Sequence, residues 1–277
     1  MLLKNKIAII TGAGGGIGSV IAKTFAKEGC NIVLVDRAKS NLDNVSEELK
    51  KYNCECLSLA ADVCNKEEVE NTISAALAKF SKIDILVNAA GIQGPIGSFR
   101  DNDIDKWLLT INVNLNGTVF FIKSVLTAMI KQGSGKIINF SGGGAFNPRP
   151  NFSAYSTSKA AVVRLTEILA EELKEYNIQV NAISPGAVNT KMLDEVLSAG
   201  PIVSGTNYYE KAKKQKEGGG DSPQLAADLI LFLCSEKSYN LSGKTISARW
   251  DNWREWNKEN ISEIMSSDLY TLRRIIK

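Results

Sequence analysis

Short apolar runs alternate along the chain with segments in which apolar residues recur at helical spacing. Continuous apolar runs are typical of strands that are buried on both faces, as in a parallel sheet. The sequence predicts seven such strands, at 7–10, 31–35, 56–60, 83–87, 136–140, 179–183 and 244–248. Helices are predicted at 40–52, 103–131 and 153–174, and another begins at Ser222-Pro223, a capping residue followed by a first-turn proline. The predicted fold is α/β: a doubly wound, mostly parallel, seven-stranded sheet with helices on both faces.

A glycine-rich stretch joins the first predicted strand to the helix that follows it. It runs from Thr11 to Gly18, and its strand–turn–helix setting is the one that a dinucleotide fingerprint requires. Glycines let the chain turn tightly and let backbone N–H groups approach an anion, which the helix N-terminus attracts. The sequence therefore predicts a binding site for a dinucleotide cofactor. The residues expected to contact it are Gly12, Gly15, Gly16, Ile17 and Gly18.

The second predicted strand is followed by Asp36 and Arg37, whose charges bear on the choice of dinucleotide. A carboxylate at this position accepts a hydrogen bond from the 2′-hydroxyl of the adenosine ribose and repels a 2′-phosphate. Asp36 therefore favours NAD over NADP as the cofactor. The guanidinium of Arg37 either covers the adenine as a solvated side chain, which we favour, or binds a 2′-phosphate.

Polar and small residues follow the third and fourth predicted strands. Asp62, which precedes Val63, either meets the adenine amine of the cofactor or caps the helix that comes next. After the fourth strand, Asn88, Ala89 and Gly91 either let the backbone approach the cofactor or serve packing. We expect all five residues to border the cofactor.

Tyr155 and Lys159 stand four residues apart at the head of an alanine-rich helical segment. This spacing places both side chains on one face of a helix, about 6 Å apart along its axis. A lysine cation there lowers the tyrosine pKa from its reference value of about 10, so that the tyrosine can exchange a proton with an alcohol or carbonyl. The same spacing also occurs by chance on exposed helix faces. A catalytic role for the pair is therefore supported only in combination with the motifs around it.

Composition narrows the range of functions. The 277 residues carry 33 basic and 30 acidic side chains, a net charge of +3, which argues against nucleic acid as a partner. The chain contains no histidine, which excludes a Ser-His-Asp triad and any histidine-ligated metal, and we expect no metal. The five cysteines form no CxxC pair and are interpreted as reduced thiols. Since neither a signal peptide nor a membrane span is predicted, we expect a cytoplasmic protein.

Together these motifs resemble those of the short-chain dehydrogenase/reductase family, in its shorter, single-domain branch. The resemblance covers about residues 4 to 248 and includes Asn114 as well as the Tyr155-x-x-x-Lys159 pair. It implies a Rossmann-like fold and hydride transfer between a nicotinamide and a secondary alcohol or ketone. By resemblance, Tyr155 would be the general acid/base, Lys159 would bind the nicotinamide ribose and tune the tyrosine, and Asn114 would hold a water in the proton relay.

The family pattern continues after the sixth predicted strand. By resemblance, Pro185 and Gly186 would border the cofactor, and Val188 and Thr190 would contact its carboxamide and phosphate side. The partner would be a small-molecule substrate. The resemblance also implies a homotetramer or homodimer. The apolar faces of the two longest predicted helices support the same expectation, since they exceed what one sheet can cover.

One position departs from the family pattern. The catalytic serine of the family usually lies 13 residues before the tyrosine, where this chain has Gly142, preceded by Ser141. Side chains alternate between the two faces of a strand, so the offset of one residue should turn Ser141 away from the site. Either the glycine run breaks the strand and Ser141 swings in, or a backbone N–H of that run binds the substrate oxygen, which we favour.

We expect one Rossmann-fold domain over 1–249 and a tryptophan-rich tail over 250–277. Within the domain, 188–220 lies where the family carries its substrate lid. The tail ends in an amphipathic segment that includes Ile276, and we expect it to pack on the domain, on its lid or on a neighbouring subunit.

The leading functional hypothesis is an NAD-dependent oxidoreductase that acts on a small hydroxyl or keto compound, with sugars and nucleotide sugars among the candidates. Two alternatives remain. One is a non-catalytic, dinucleotide-binding regulator of the same fold, and the other is a dehydratase or epimerase that acts through a transient ketone. Net reduction of NAD by a hydroxyl substrate separates the leading hypothesis from both.

Overall fold

The computed structural model describes residues 1–274. Its centre is a seven-stranded sheet in which all neighbouring strands are parallel, and the predicted doubly wound, Rossmann-like α/β fold is confirmed. The strands are β1 (Ile7–Thr11), β2 (Asn31–Asp36), β3 (Cys56–Ala60), β4 (Ile85–Asn88), β5 (Gly135–Phe140), β6 (Ile178–Ser184) and β7 (Thr245–Ser247). Their order in the sheet is β3-β2-β1-β4-β5-β6-β7. Because the order changes direction between β1 and β4, a crevice opens at the carboxyl ends of these strands.

Helices connect successive strands and cover both faces of the sheet. They are α1 (Gly16–Lys27), α2 (Lys39–Leu49), α3 (Lys66–Phe80), α4 (Ile104–Ile111), α5 (Gly117–Gln132), α6 (Ser153–Glu172), α7 (Lys191–Ser204), α8 (Thr206–Glu217), α9 (Pro223–Cys234) and α10 (Lys258–Met265). The segment predicted as a lid, 188–220, contains α7 and α8, and α7 is broken at Gly200 (φ 76°), just before Pro201.

Each face of the sheet packs against its own apolar cluster. Along β1, Ala8 and Ile10 belong to the cluster under α1 and α9, whereas Ile9 between them belongs to the cluster under α3 and α5. This division follows from the alternation of side chains along a strand. It explains why the strands are apolar along their whole length, since neither face is left to solvent.

Two predicted boundaries shift by up to three residues for local reasons. The helix predicted at 40–52 ends at Leu49, whose side chain is buried, and a turn follows it. The fourth strand begins at Ile85 rather than at Ile83, because the backbone of Ile83 is bound at 3.0 and 2.9 Å by the side-chain amide of Gln132. The side chain of Gln132 thus occupies backbone groups that a neighbouring strand would otherwise use.

The long helix predicted at 103–131 is present as α4 and α5, joined without interruption by a π-helical turn. This turn spans Asn112–Asn116 and contains Asn114. By length and mean hydropathy alone, the continuous helix Ile104–Gln132 could cross a membrane, a test that core helices of soluble proteins also pass. In this structure, Phe121 and Val125 on its α5 half are buried in the cluster beneath the sheet.

The structure tests two predicted helix caps. Ser222 caps α9 as predicted: its hydroxyl accepts a hydrogen bond from the N–H of Gln224, and Pro223 lies in the first turn. The suggestion that Asp62 caps the next helix is wrong. Asn65 caps α3, because its side-chain oxygen accepts the hydrogen bonds from the first-turn N–H groups.

The tail packs on the domain of its own chain. Trp253 is 5% exposed, and its ring lies 5.7 Å, centroid to centroid, from Phe232 of α9. Ile261 and Ile264 of α10 are buried in the same cluster. Trp250, by contrast, is 80% exposed, and Ile276 lies outside the described residues. The described part of the tail therefore completes one face of the core.

Replacement of Trp253 by alanine should remove about 3–5 kcal/mol from the free energy of unfolding, because it empties a buried site against α9. Trp250→Ala is the matched control, and its exposed side chain should contribute no more than about 0.5 kcal/mol. Urea unfolding followed by circular dichroism gives both values. Equal, small losses in the two variants would show that the tail is an appendage rather than part of the core.

Candidate active site

The glycine turn between β1 and α1 is closed on one side and open on the other. Gly12 has φ 66°, and a Cβ placed on it would lie 2.9 Å from the backbone of Ala90, so this approach requires glycine. At Gly15 and Gly16, in contrast, a Cβ would meet no atom within 4 Å. Gly15 precedes α1 and has no side chain with which to cap it. The first N–H groups of α1 therefore face an open space with a positive dipole end, which suits a pyrophosphate.

The carboxylate of Asp36 is fixed beside this turn. One of its oxygens accepts a hydrogen bond from the N–H of Gly14, and the other accepts one from the N–H of Ala38, each at 3.1 Å. Both bonds orient the side chain at the carboxyl end of β2, where it lines the open space. Arg37 lies next to it and is exposed.

A chain of buried polar groups ties together the carboxyl ends of β1, β4 and β5. Asn88 donates to the side-chain oxygen of Asn139 at 2.9 Å, and Asn139 donates to the hydroxyl of Thr166 on α6 at 2.9 Å. The hydroxyl of Thr11 accepts a hydrogen bond from the N–H of Ala90 at 3.1 Å. Asn88 is thus engaged within the protein, and it does not line the open space with the other residues predicted to hold the cofactor.

Asn114 is also fully engaged. Its amide nitrogen donates to the carbonyl of Ile92 and to the hydroxyl of Ser158, both at 3.0 Å. Its side-chain oxygen accepts a hydrogen bond from the N–H of Ile92 at 2.9 Å. The side chain of Asn114 therefore fastens the loop after β4 to α6, and the π-helical turn is the local feature that carries it there.

Tyr155 and Lys159 project from the first turns of α6 toward the end of β5. The ammonium of Lys159 is buried, donates to the carbonyl of Phe140 at 2.9 Å and lies 5.7 Å from the centroid of the Tyr155 ring. Both side chains line the open space. The predicted placement on one helix face thus brings the pair to the carboxyl edge of the sheet.

The glycine run after β5 lies against the tyrosine. A Cβ on Gly142 would collide with the hydroxyl oxygen of Tyr155, so this position has no room for a side chain without movement of the backbone or the ring. Ser141 is 1% exposed, and its hydroxyl has no hydrogen-bond partner in the described structure. Ser141 and Gly142 both line the open space. Which of them binds the substrate oxygen stays a prediction.

Burial dominates the protonation of the pair. It raises the pKa of the Tyr155 hydroxyl above its ordinary value, although the nearby Arg149 guanidinium lowers it and Tyr208 raises it further. Burial lowers the pKa of the Lys159 ammonium to about 8. The expectation that a lysine brings the tyrosine pKa below its reference value is wrong for this structure. The ring is desolvated, and the cation that lowers its pKa is Arg149.

Sequence reasoning missed Arg149, which stands between two prolines after the glycine run. Its guanidinium carbon lies 3.8 Å from the centroid of Phe152, 4.1 Å from that of Tyr208 and 5.7 Å from that of Tyr155. It also donates a hydrogen bond to the hydroxyl of Tyr208. The only sequence signal was a charged residue six positions before the tyrosine, which a surface loop explains equally well.

One continuous cavity of about 990 Å³ joins these parts. The glycine turn and Asp36 lie at its β1–β2 end, and Tyr155 and Lys159 lie at the end of β5. The other predicted cofactor residues that line it are Asp62, Val63, Ala89, Gly91, Pro185, Gly186, Val188 and Thr190. A cleft of this volume, with helix N–H groups suited to an anion at one end and an ionisable pair at the other, fits a dinucleotide with a substrate beside it.

Comparison with known proteins gives one family and close relatives. A family model described as short chain dehydrogenase matches residues 6–200. An uncharacterised oxidoreductase of Staphylococcus aureus is 38% identical over 246 residues, which are 88% of this chain and 98% of that protein. Another uncharacterised oxidoreductase, from Staphylococcus epidermidis, is 32% identical over 245 residues, with 88% of this chain and 97% of the relative covered.

Solved structures with the same architecture are similar over nearly their whole length. An NAD+-bound xylitol dehydrogenase superposes with a TM-score of 0.84 at 30% identity, covering 89% of this chain and 98% of the other. A levodione reductase superposes with a TM-score of 0.83 at 26% identity, covering 92% and 100%.

Titration of Tyr155 should show the two opposing effects on its pKa. The phenolate should form only above the ordinary tyrosine range, because burial is the largest effect. Arg149→Gln should move the titration to higher pH, since it removes the cation, and Tyr208→Phe should move it to lower pH. The phenolate absorbance of each protein, less that of its Tyr155→Phe counterpart, measures the shift. If the pKa of Tyr155 in Arg149→Gln is equal to or lower than in the unchanged protein, Arg149 is not the cation that lowers it.

Proposed function

The chain belongs to the short-chain dehydrogenase/reductase family of oxidoreductases, and we propose that it transfers a hydride between NAD and a secondary alcohol or ketone, with Tyr155 as the general acid/base. The observation that carries this proposal is the continuity of the cavity. It connects the glycine turn of a dinucleotide site with the Tyr155–Lys159 pair, so that cofactor and substrate can meet where a proton donor stands.

The residues in the cavity fit a nicotinamide dinucleotide. The open side of Gly15 and Gly16 and the N–H groups at the start of α1 would hold the pyrophosphate, and Asp36 would bind the adenosine ribose. Lys159, from α6, would bind the nicotinamide ribose. When bound, the nicotinamide supplies the hydride acceptor or donor that no side chain can provide.

Tyr155 would move the proton that accompanies the hydride. In reduction, the Tyr155 hydroxyl, which burial keeps protonated, would give its proton to the carbonyl oxygen as the carbon gains a hydride. Oxidation would run the same steps in reverse and start from the Tyr155 phenolate, so it should be favoured at high pH. Lys159 is held in place by the carbonyl of Phe140, and its pKa of about 8 lets it exchange a proton near neutral pH. A Cβ on Gly142 would collide with the tyrosine oxygen, so the absence of a side chain there leaves this oxygen its place.

We also propose a homodimer or homotetramer, located in the cytoplasm. Several apolar side chains on α4, α5 and α6 are exposed in the single chain, and a symmetric contact would bury them. They are Ile104, Leu108, Leu109, Val119, Ile130 and Ile168. The five cysteines are free thiols, as a reducing compartment would keep them. Light scattering that gives the mass of a monomer would contradict the assembly.

Tyr155→Phe should lower kcat by at least about 100-fold, because only the proton-exchanging oxygen is lost. The Kd for NAD should change by less than about 3-fold, since the phenyl ring keeps its place (a shift of about 0.6 kcal/mol). Tyr239→Phe, at an exposed position outside the cavity, is the matched control and should behave as the unchanged protein. Turnover in the Tyr155→Phe variant at the control rate would remove Tyr155 from the mechanism.

Asp36→Asn should shift the preference from NAD toward NADP by at least about tenfold in the ratio of their Kd values. Asparagine removes the charge that repels a 2′-phosphate, although its single oxygen can accept from only one of the two N–H groups, of Gly14 and Ala38, that Asp36 binds. Asp43→Asn, on the exposed surface of α2, is the charge-matched control. Calorimetric titration with both cofactors measures the ratio. Tighter binding of NADP than of NAD by the unchanged protein would show that Arg37 decides the preference.

A further inference from the structure

Several residues that line the cavity carry buried hydrogen-bond donors without partners. Within residues 1–274, six buried side-chain polar atoms lack a hydrogen-bond partner. Three of them belong to residues that line the cavity: Nε2 of Gln93, the hydroxyl of Ser141 and Nε of Arg149. All three can donate a hydrogen bond. Because an unsatisfied buried donor is costly, three of them in residues around one cavity favour a ligand whose acceptor oxygens they bind once the side chains turn toward it.

Arg149 is the charged member of this set, and the protein holds it in a defined place. Its guanidinium lies over the rings of Phe152 and Tyr208 and donates to the hydroxyl of Tyr208. The rings fix the plane of the fork but do not neutralise its charge. The glycine run lies beside it: a Cβ on Gly143 would lie 3.5 Å from Nη1 of Arg149, and one on Gly144 would lie 3.3 Å from its Cβ.

No carboxylate of the described residues neutralises this cation. Burial lowers the pKa of the Arg149 guanidinium, and the hydroxyls of Tyr208 and Tyr155 raise it. Glu195 lines the cavity, but it is exposed and forms no ion pair with Arg149 in the described structure. Lys159, which also faces the cavity, adds a second positive charge on the same side of the site. The substrate end of the cavity therefore carries an excess of positive charge.

We propose that Arg149 binds a carboxylate of the substrate, with Gln93 as a neutral second donor, so that the enzyme acts on short hydroxy acids and oxo acids. This inference rests on the proposed function. A guanidinium matches a carboxylate with two parallel hydrogen bonds, and a partly buried cation gains most from such a pair.

The distance between the arginine and the tyrosine favours short acids. The guanidinium carbon is 5.7 Å from the centroid of the Tyr155 ring. A ketone at the Tyr155 hydroxyl therefore lies near the guanidinium, and 2-oxo and 3-oxo acids carry a ketone and a carboxylate close together.

The test uses matched pairs of 2-oxo and 3-oxo monocarboxylic acids and their methyl esters, reduced by the full-length protein with NADH. The acids should have kcat/KM values about 100-fold above those of the esters, as expected for loss of a desolvated charge pair. In Arg149→Gln this ratio should fall to near 1, mainly through KM. Arg149→Lys should retain part of the preference, because it keeps the charge but loses the fork. Gln93→Leu should lower the ratio less than Arg149→Gln does.

Controls separate this inference from the proposed function and from a structural role. Arg100→Gln, which removes a surface arginine paired with Asp101, should keep the ratio of the unchanged protein. Unaltered NAD binding by Arg149→Gln shows that the variant is folded. An equal acid-to-ester ratio in the unchanged protein and in Arg149→Gln, with turnover present, would overturn the carboxylate contact while the dehydrogenase assignment stands. An Arg149-dependent preference for phosphorylated ketones over the acids would overturn it too. No turnover of any acid or ester, with calorimetric binding of the acids that Arg149→Gln abolishes, would instead overturn the proposed function.

Discussion

The site depends on one steric constraint, the close approach of the Gly142 backbone to the hydroxyl of Tyr155. Because a Cβ at this position would collide with the tyrosine oxygen, any side chain at residue 142 would force the tyrosine ring or the backbone to move. This close approach lets the first turns of α6 lie against the end of β5, where Lys159 reaches the carbonyl of Phe140. The constraint therefore fixes both ionisable groups at the carboxyl edge of the sheet.

The same glycines change what the site can bind. The family pattern has a serine where this chain has Gly142, and the Arg149 side chain lies beside the glycines that follow. Beside the tyrosine, the site thus lacks the serine hydroxyl that the family pattern implies at residue 142 and carries the positive charge of Arg149 in addition. Burial raises the pKa of Tyr155, and the charge of Arg149 lowers it. Loss of the serine and gain of the cation are two consequences of one local sequence, residues 142–149.

The parts that the sequence predicted are those determined by neighbours along the chain. The turn at Gly12 and the Tyr155–Lys159 spacing depend on local geometry, and the seven strands depend on continuous apolar runs. The contacts that it missed involve distant residues. Arg149 contacts Tyr208, 59 residues later on α8, and Asn88 turns inward because Asn139 lies on the neighbouring strand. The pKa of Tyr155 was mispredicted because desolvation depends on the packed fold, which helical spacing does not reveal.

The fate of an isotopic label tests most directly whether this cavity carries out net hydride transfer. Reduced NAD that carries deuterium at the transferred position is incubated with the protein and a 2-oxo or 3-oxo acid, and the product is analysed by mass spectrometry and NMR. We predict that the deuterium appears on the carbinol carbon, with oxidised NAD formed in equal amount. Product without the label, or a cofactor that keeps its deuterium while substrate is consumed, would contradict the account and favour a dehydratase or epimerase.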